Sequence, residues 1–169
     1  MKRTITILLF SLAVFTIQAQ TNSCNCCTDK HSEFDFWIGD WNVTNPDGSK
    51  AGTNVISKSQ NNCLLQENWK SANGKITGTS NNFYNYQAKQ WEQIWVDNVG
   101  GSLHLKGNRD GNKMIMRTDN LKNKKGETFY HRVTWTLKKD GSVHQYWETI
   151  TNNKDITVAF DGLYKRISE

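Results

Sequence analysis

From Asp40 to the C-terminus the chain is built of about ten short runs rich in Val, Ile, Thr, Tyr, Phe and Trp, separated by clusters of Asn, Asp, Gly and Lys. Within such a run successive side chains point to opposite faces, so each run carries two sets of residues at period 2. No stretch carries a sustained 3.6-residue apolar period, so helix is expected only as a turn around Glu33 to Ile38. A single proline and scattered glycines leave no linker and no internal repeat. These features predict an all-β protein, a barrel or sandwich of about ten strands with a short N-terminal helical turn.

The chain opens with Met1-Lys2-Arg3, an apolar stretch from Ile5 to Phe15, and Ile17-Gln18-Ala19. A cationic start, an apolar run too short to cross a bilayer and a small residue at its end make a secretory signal, with cleavage expected after Ala19. The expected organisation is a signal peptide at 1–19, a cysteine-rich arm at 20–32 and a barrel at 33–169. About 150 residues then remain, enough for one domain with its own core. Cleavage removes two of the 21 Lys and Arg and none of the 16 Asp and Glu. The mature chain is mildly basic, favouring an anionic small partner, and has no basic helix or arginine-rich tail for nucleic acid. No second long apolar run is present, so no transmembrane segment is expected and the destination is periplasmic or secreted.

Cys24, Cys26 and Cys27 crowd the arm, and Cys63 stands alone. In an exported protein the direct reading is a disulfide tying the arm to the barrel. Lipidation of Cys24 ranks second, because Thr21-Asn22-Ser23 lacks the apolar residue that opens a lipobox. A metal site of the clustered thiols with His31 ranks last, since no matching Cys or His spacing follows.

Turn residues carry the reading further, because loop length fixes which residues oppose one another. A two-residue turn at Asp140-Gly141 sets Lys139 opposite Ser142. It puts His131, Val133, Trp135 and Leu137 on one face with His144, Tyr146, Glu148 and Ile150, leaving Arg132, Thr134, Thr136, Gln145 and Trp147 behind. A one-residue slip would exchange inside and outside. At Ala88-Lys89 the same construction pairs Tyr86 with Trp91, Tyr84 with Gln93 and Asn82 with Trp95, backed by Phe83, Ile94 and Val96. At Asp110-Gly111 it sets His104 opposite Arg117, with Leu103, Leu105, Met114 and Met116 on the reverse side. Large apolar groups on both sides of these strands argue for a closed barrel with a partly polar lumen.

Gly39-Asp40-Trp41, preceded by the turn through Phe34-Asp35-Phe36-Trp37-Ile38, resembles the Gly-x-Trp that opens the first strand of lipocalins. Arg166 on the last strand stands where those barrels set an arginine across the tryptophan. The chain is thus similar to the calycin group, the lipocalin and fatty-acid-binding-protein type of barrel. From Phe34 to Ile167, with Trp91-x-Gln-x-Trp95-Val-Asp97 and Phe160-Asp161-Gly162-x-Tyr164, it more closely resembles a family of small secreted bacterial calycin-like proteins of largely unassigned function. Nitrobindin-like barrels are a remoter resemblance, without a counterpart of their haem-ligating histidine. The resemblance implies a fold, a single antiparallel up-and-down β-barrel of about ten strands, and no reaction.

His144, Tyr146 and His131 form the densest group of proton-transfer side chains and are the candidate catalytic residues. Their plain alternative is a set of ordinary strand residues. Arg117 with His104 could clamp a carboxylate or sulfate, or be a surface cross-strand pair. Tyr84, Gln93 and Trp95, with Tyr86, Trp91 and Asn82, join flat apolar faces to amides, a mixture that suits a sugar ring when it is not core packing. Trp135 and Glu148 complete the candidate substrate-binding set. No metal-ligand spacing, phosphate loop or serine-nucleophile motif appears, so no metal and no cofactor is expected. The expected function is an exported carbon–oxygen lyase or dehydratase acting on uronic-acid-containing oligosaccharides. An arginine or lysine would neutralise the carboxylate, and a His or Tyr base would remove the C5 proton. The alternative is a non-catalytic lipocalin-like carrier of a small hydrophobic ligand or haem.

Overall fold

The computed structural model describes residues 24–167, so the expected signal peptide and its cleavage point lie outside the described residues. A four-residue helix α1 (Asp29–Ser32) and a 3-10 turn (Asp35–Trp37) precede the strands. These are β1 (Gly39–Thr44), β2 (Lys50–Ser59), β3 (Leu64–Ser71), β4 (Thr77–Asn85), β5 (Gln90–Asp97), β6 (Ser102–Asp110), β7 (Lys113–Arg117), β8 (Leu121–Lys122), β9 (Thr128–Leu137), β10 (Val143–Thr151) and β11 (Asp155–Arg166). Ten of them close into an antiparallel barrel in which each strand pairs with the next, β7 passes to β9, and β11 returns to β1. The two-residue β8 is an addition on the end of β9. Closure satisfies both rows of backbone groups on every wall strand and leaves no edge. The expected all-β barrel of about ten strands with a short helical turn is therefore present, and it is consistent with a calycin-like fold.

The seam between the first and last strands carries the Gly-x-Trp device. Trp41 pairs with Arg166 across the ladder, and the guanidinium carbon lies 4.5 Å from the indole ring centre. Gly39 allows that approach: its φ is +141°, and a Cβ there would sit 2.2 Å from Arg166 Nη1. The Trp41 indole N–H donates to the Trp37 carbonyl at 2.9 Å, so the turn before β1 is tied to the barrel floor.

Inward positions follow period 2 around the ring. Trp41 and Val43 on β1, Ile56 on β2, Leu65 on β3, Trp91 on β5, Leu105 on β6, Met114 and Met116 on β7, Val133 and Trp135 on β9, Val143 on β10 and Tyr164 on β11 are buried together. Phe34 and Trp37, from the turn before β1, enter one end of this core. Their rings stack at 5.0 Å, and Trp135 lies 5.2 Å from Phe34 and 5.3 Å from Trp37. That end of the barrel is sealed by aromatic packing. The arm over it is held by two disulfides, Cys24–Cys27 within the arm and Cys26–Cys63 to the turn between β2 and β3. All four cysteines are thus in disulfides, including Cys24 and the other thiols considered above for lipid or metal.

Two of the three predicted hairpin registers are displaced by two residues and keep their faces. Asn82 pairs with Gln93 and Tyr84 with Trp91, because the β4–β5 loop runs from Tyr86 to Lys89. The Asn85 side chain accepts the Gln87 and Ala88 N–H groups at 3.0 and 3.1 Å and so starts that turn early. Arg117 pairs with Lys106 rather than with His104, because the turn between β6 and β7 is Gly111-Asn112, with Gly111 at φ +57°.

The third register requires a correction with consequences for the site. Leu137 pairs with Val143, and the connection holds three residues, Lys139-Asp140-Gly141, between a Lys138–Ser142 pair bonded at 2.8 Å. Gly141 takes the left-handed conformation at φ +79° that such a three-residue loop demands. One residue more than expected slides β10 by one position, and a slip of one exchanges the faces. Gln145 and Trp147, not His144, Tyr146 and Glu148, share the inward side with Val133 and Trp135.

Candidate functional site

Opposite the sealed end lies a partly open cavity of about 110 Å³. Its walls are Trp69 of β3, Trp95 of β5, Leu103 of β6, Val133 of β9, Trp147 of β10 and Phe160 of β11. Gln93, Gln145, Glu67 and Tyr164 bring polar atoms to it. Each arrives by strand alternation: Leu65, Glu67 and Trp69 are successive inward residues of β3, as Trp91, Gln93 and Trp95 are of β5. Two glycines make room for large rings, since a Cβ at Gly78 would lie 2.1 Å from Trp95 and one at Gly162 would lie 2.5 Å from Phe160. Trp69 and Phe160 meet edge to face at 5.8 Å.

A buried hydrogen-bond network forms the floor. Glu67 accepts from the Asn54 amide at 2.7 Å and from the Ser80 hydroxyl at 2.5 Å. Asn82 donates to Ser80 at 2.9 Å, and Gln93 donates to the Asn82 carbonyl at 2.8 Å. On the other side, the Tyr164 hydroxyl donates to Gln145 and receives the Asn54 amide at 3.4 Å. Removal from water pushes the Glu67 carboxyl up to about 7, against the opposing pull of the Ser80 and Asn54 hydrogen bonds. Burial, reinforced by the neighbouring Glu67 charge, holds the Tyr164 phenol well above its usual range. The floor thus carries one proton that can leave near neutrality, on Glu67, and one that stays, on Tyr164.

Of the candidate residues read from sequence, Gln93 and Trp95 belong to this cavity. Tyr84 is inward but lies at the sealed end, against Trp91, Tyr86 and His31. Trp135 is fully buried core beneath Phe34 and Trp37. His131 shares the inward side of β9 but stands beside Trp147, whose indole N–H donates to its Nδ1 at 3.1 Å. That bond leaves the neutral ring's proton on Nε2, and burial lowers the imidazole pKa. His144 lies on the outer face, bonded through Nε2 to Asp161 at 2.7 Å, with Tyr146 beside it. Glu148 is also outside, paired with Arg132 at 2.9 Å. His104 on the outer face meets Glu92 at 2.7 Å, and the Arg117 guanidinium covers the Tyr130 ring at 3.7 Å. The three residues expected to perform proton transfer are thus not brought together around a common space.

The cavity residues that sequence reasoning did not select are Glu67, Trp69, Gln145, Trp147, Phe160 and Tyr164. A signal for Glu67 was present, because in Leu65-Gln66-Glu67-Asn68-Trp69 it has the same parity as Leu65 and Trp69.

No protein-family model matches the chain, and no curated protein is similar to it. No helix among the described residues is long and apolar enough to cross a membrane, and no group of three or more His, Cys, Asp or Glu there is placed to hold a metal ion.

Proposed function

We propose that this protein is a binder of one small organic molecule, received at the open end of the barrel between Trp69, Trp95, Trp147 and Phe160. The observation that carries the reading is the asymmetry of the barrel: one end is packed shut by Phe34 and Trp37, and the other keeps a cavity of about 110 Å³. Apolar walls with a few fixed polar groups are the usual composition of a ligand site. Here Gln93 and Gln145 fix orientation while the rings supply contact area. The size suits a single ring or a compact head group and falls short of haem or a long alkyl chain. A periplasmic or secreted location accords with the two disulfides. β-Elimination of a uronate needs a cation against its carboxylate. The cavity lining contains none and includes an acid, so binding has the stronger support.

The test is tryptophan fluorescence and thermal shift against a panel of small cyclic alcohols, amides, amines and aromatic compounds. Compounds that bind are expected to alter tryptophan emission and raise Tm, and Val133→Phe, which fills the cavity from β9, is expected to abolish both effects while remaining folded. Silence across the panel, or equal binding by the filled variant, would overturn the reading.

A further inference from the structure

Three carboxylate side chains are buried among the described residues, and two are bonded to a basic side chain: Glu92 to His104 and Glu148 to Arg132. Glu67, the most deeply placed, has only the neutral donors Asn54 and Ser80. Beside it on the neighbouring strand β4 stands Ser80, and the other polar groups of the lumen around it are Gln93 from β5, Gln145 from β10 and Tyr164 from β11, none positively charged. A buried carboxylate without a counter-ion is expensive, and proteins normally avoid it. Glu67 stands at the inner end of a cavity whose outer walls are three indoles and a phenyl ring. Rings of that kind attract cations through their π faces, and the attraction grows once water is excluded. A carboxylate at the bottom and aromatic rings at the sides are complementary to one chemical class.

Resting on the small-molecule reading above, we propose that the ligand is a compact organic ammonium ion, its charged nitrogen directed toward Glu67 and its apolar substituents held by Trp69, Trp95, Trp147 and Phe160. The ligand thereby supplies the counter-charge that the chain omits. In the empty site Glu67 is largely protonated below about pH 7, so a permanent cation displaces that proton on binding. Tyr164 remains protonated throughout and is the one other titratable group at the cavity.

The probes are choline and the uncharged alcohol in which a carbon atom replaces its nitrogen, titrated by calorimetry and tryptophan fluorescence. Choline is expected to bind about tenfold more tightly at about pH 8 than at about pH 6, releasing close to one proton at the lower pH, and the uncharged alcohol to show no such dependence. Glu67→Gln is expected to weaken choline at least tenfold and to change the affinity for the alcohol far less. The variant amide can be accommodated because the buried Asn54 Oδ1 has no partner. Should that variant fail to fold, the pH comparison on the unaltered protein decides alone. Choline binding that is independent of both pH and Glu67, or that survives Val133→Phe, overturns the inference. Binding of the alcohol without binding of choline overturns it too but leaves the small-molecule reading standing. If both probes and the wider panel are silent, both readings fall.

Discussion

Glu67 is the residue on which most of the chemistry turns, and its cost to the fold can be measured. Its carboxyl is raised from 4.5 to about 7, so between those values the folded state holds a proton that the unfolded chain releases. Stability therefore falls as pH rises through that window. Glu67→Gln removes the dependence. Denaturant titrations at about pH 5 and about pH 8 are expected to show the gap between the two proteins moving in the variant's favour by up to about 3 kcal/mol. An unchanged gap would mean that the carboxyl is better solvated than its position indicates. His131 has the opposite sign: burial lowers its pKa, so its contribution is present above the ordinary imidazole range and fades as pH falls through it. Gly39 is the second residue with a specific demand, because Ala there must adopt φ +141° and displace Arg166 from Trp41. Gly39→Ala is expected to cost about 1–3 kcal/mol in denaturant unfolding, whereas a cost near zero would show that the seam can relax.

At the scale of elements, the arm and the hairpins behave differently. Cys26–Cys63 closes a loop with a sequence separation of 37, against 3 for Cys24–Cys27. On loop entropy the long bridge stabilises by about 4 kcal/mol and the short one by about half that. Replacing each pair by serine in turn should reproduce that order in urea unfolding, and equal losses would contradict the assignment of the long bridge as the tether. The hairpins mark how far sequence could be read. Period-2 alternation revealed the barrel, and Gly39, Trp41 and Arg166 located its seam. The faces of β4 to β7 were legible too, because displacements of two residues conserve parity. The face of β10 was not legible: Lys-Asp-Gly supports a two-residue and a three-residue connection equally well, and only the packing of Trp135 and Val143 into one core selects the latter. That single residue moved His144 and Tyr146 from the lumen to the outer wall. Glu67 was missed for a different reason, since a lone acid on an apolar face reads as a surface residue until the strand is seen to be inward.

For the whole molecule, the two ends of the barrel differ, with Phe34 and Trp37 filling one and a cavity, proposed above as the ligand site, at the other. Phe34 is fully buried and in contact with Trp37, Trp91 and Trp135. Phe34→Ala is therefore expected to cost about 3–5 kcal/mol without removing the open-end walls. The seven tryptophans report on both ends at once. Their indole N–H signals in a two-dimensional nitrogen–proton spectrum, followed while the small-molecule panel and choline are added, give the most direct test. Binding is expected to shift the signals of Trp69, Trp95 and Trp147 and to leave those of Trp37, Trp41, Trp91 and Trp135 in place. Shifts confined to the second group, or no shift with any compound, would contradict it.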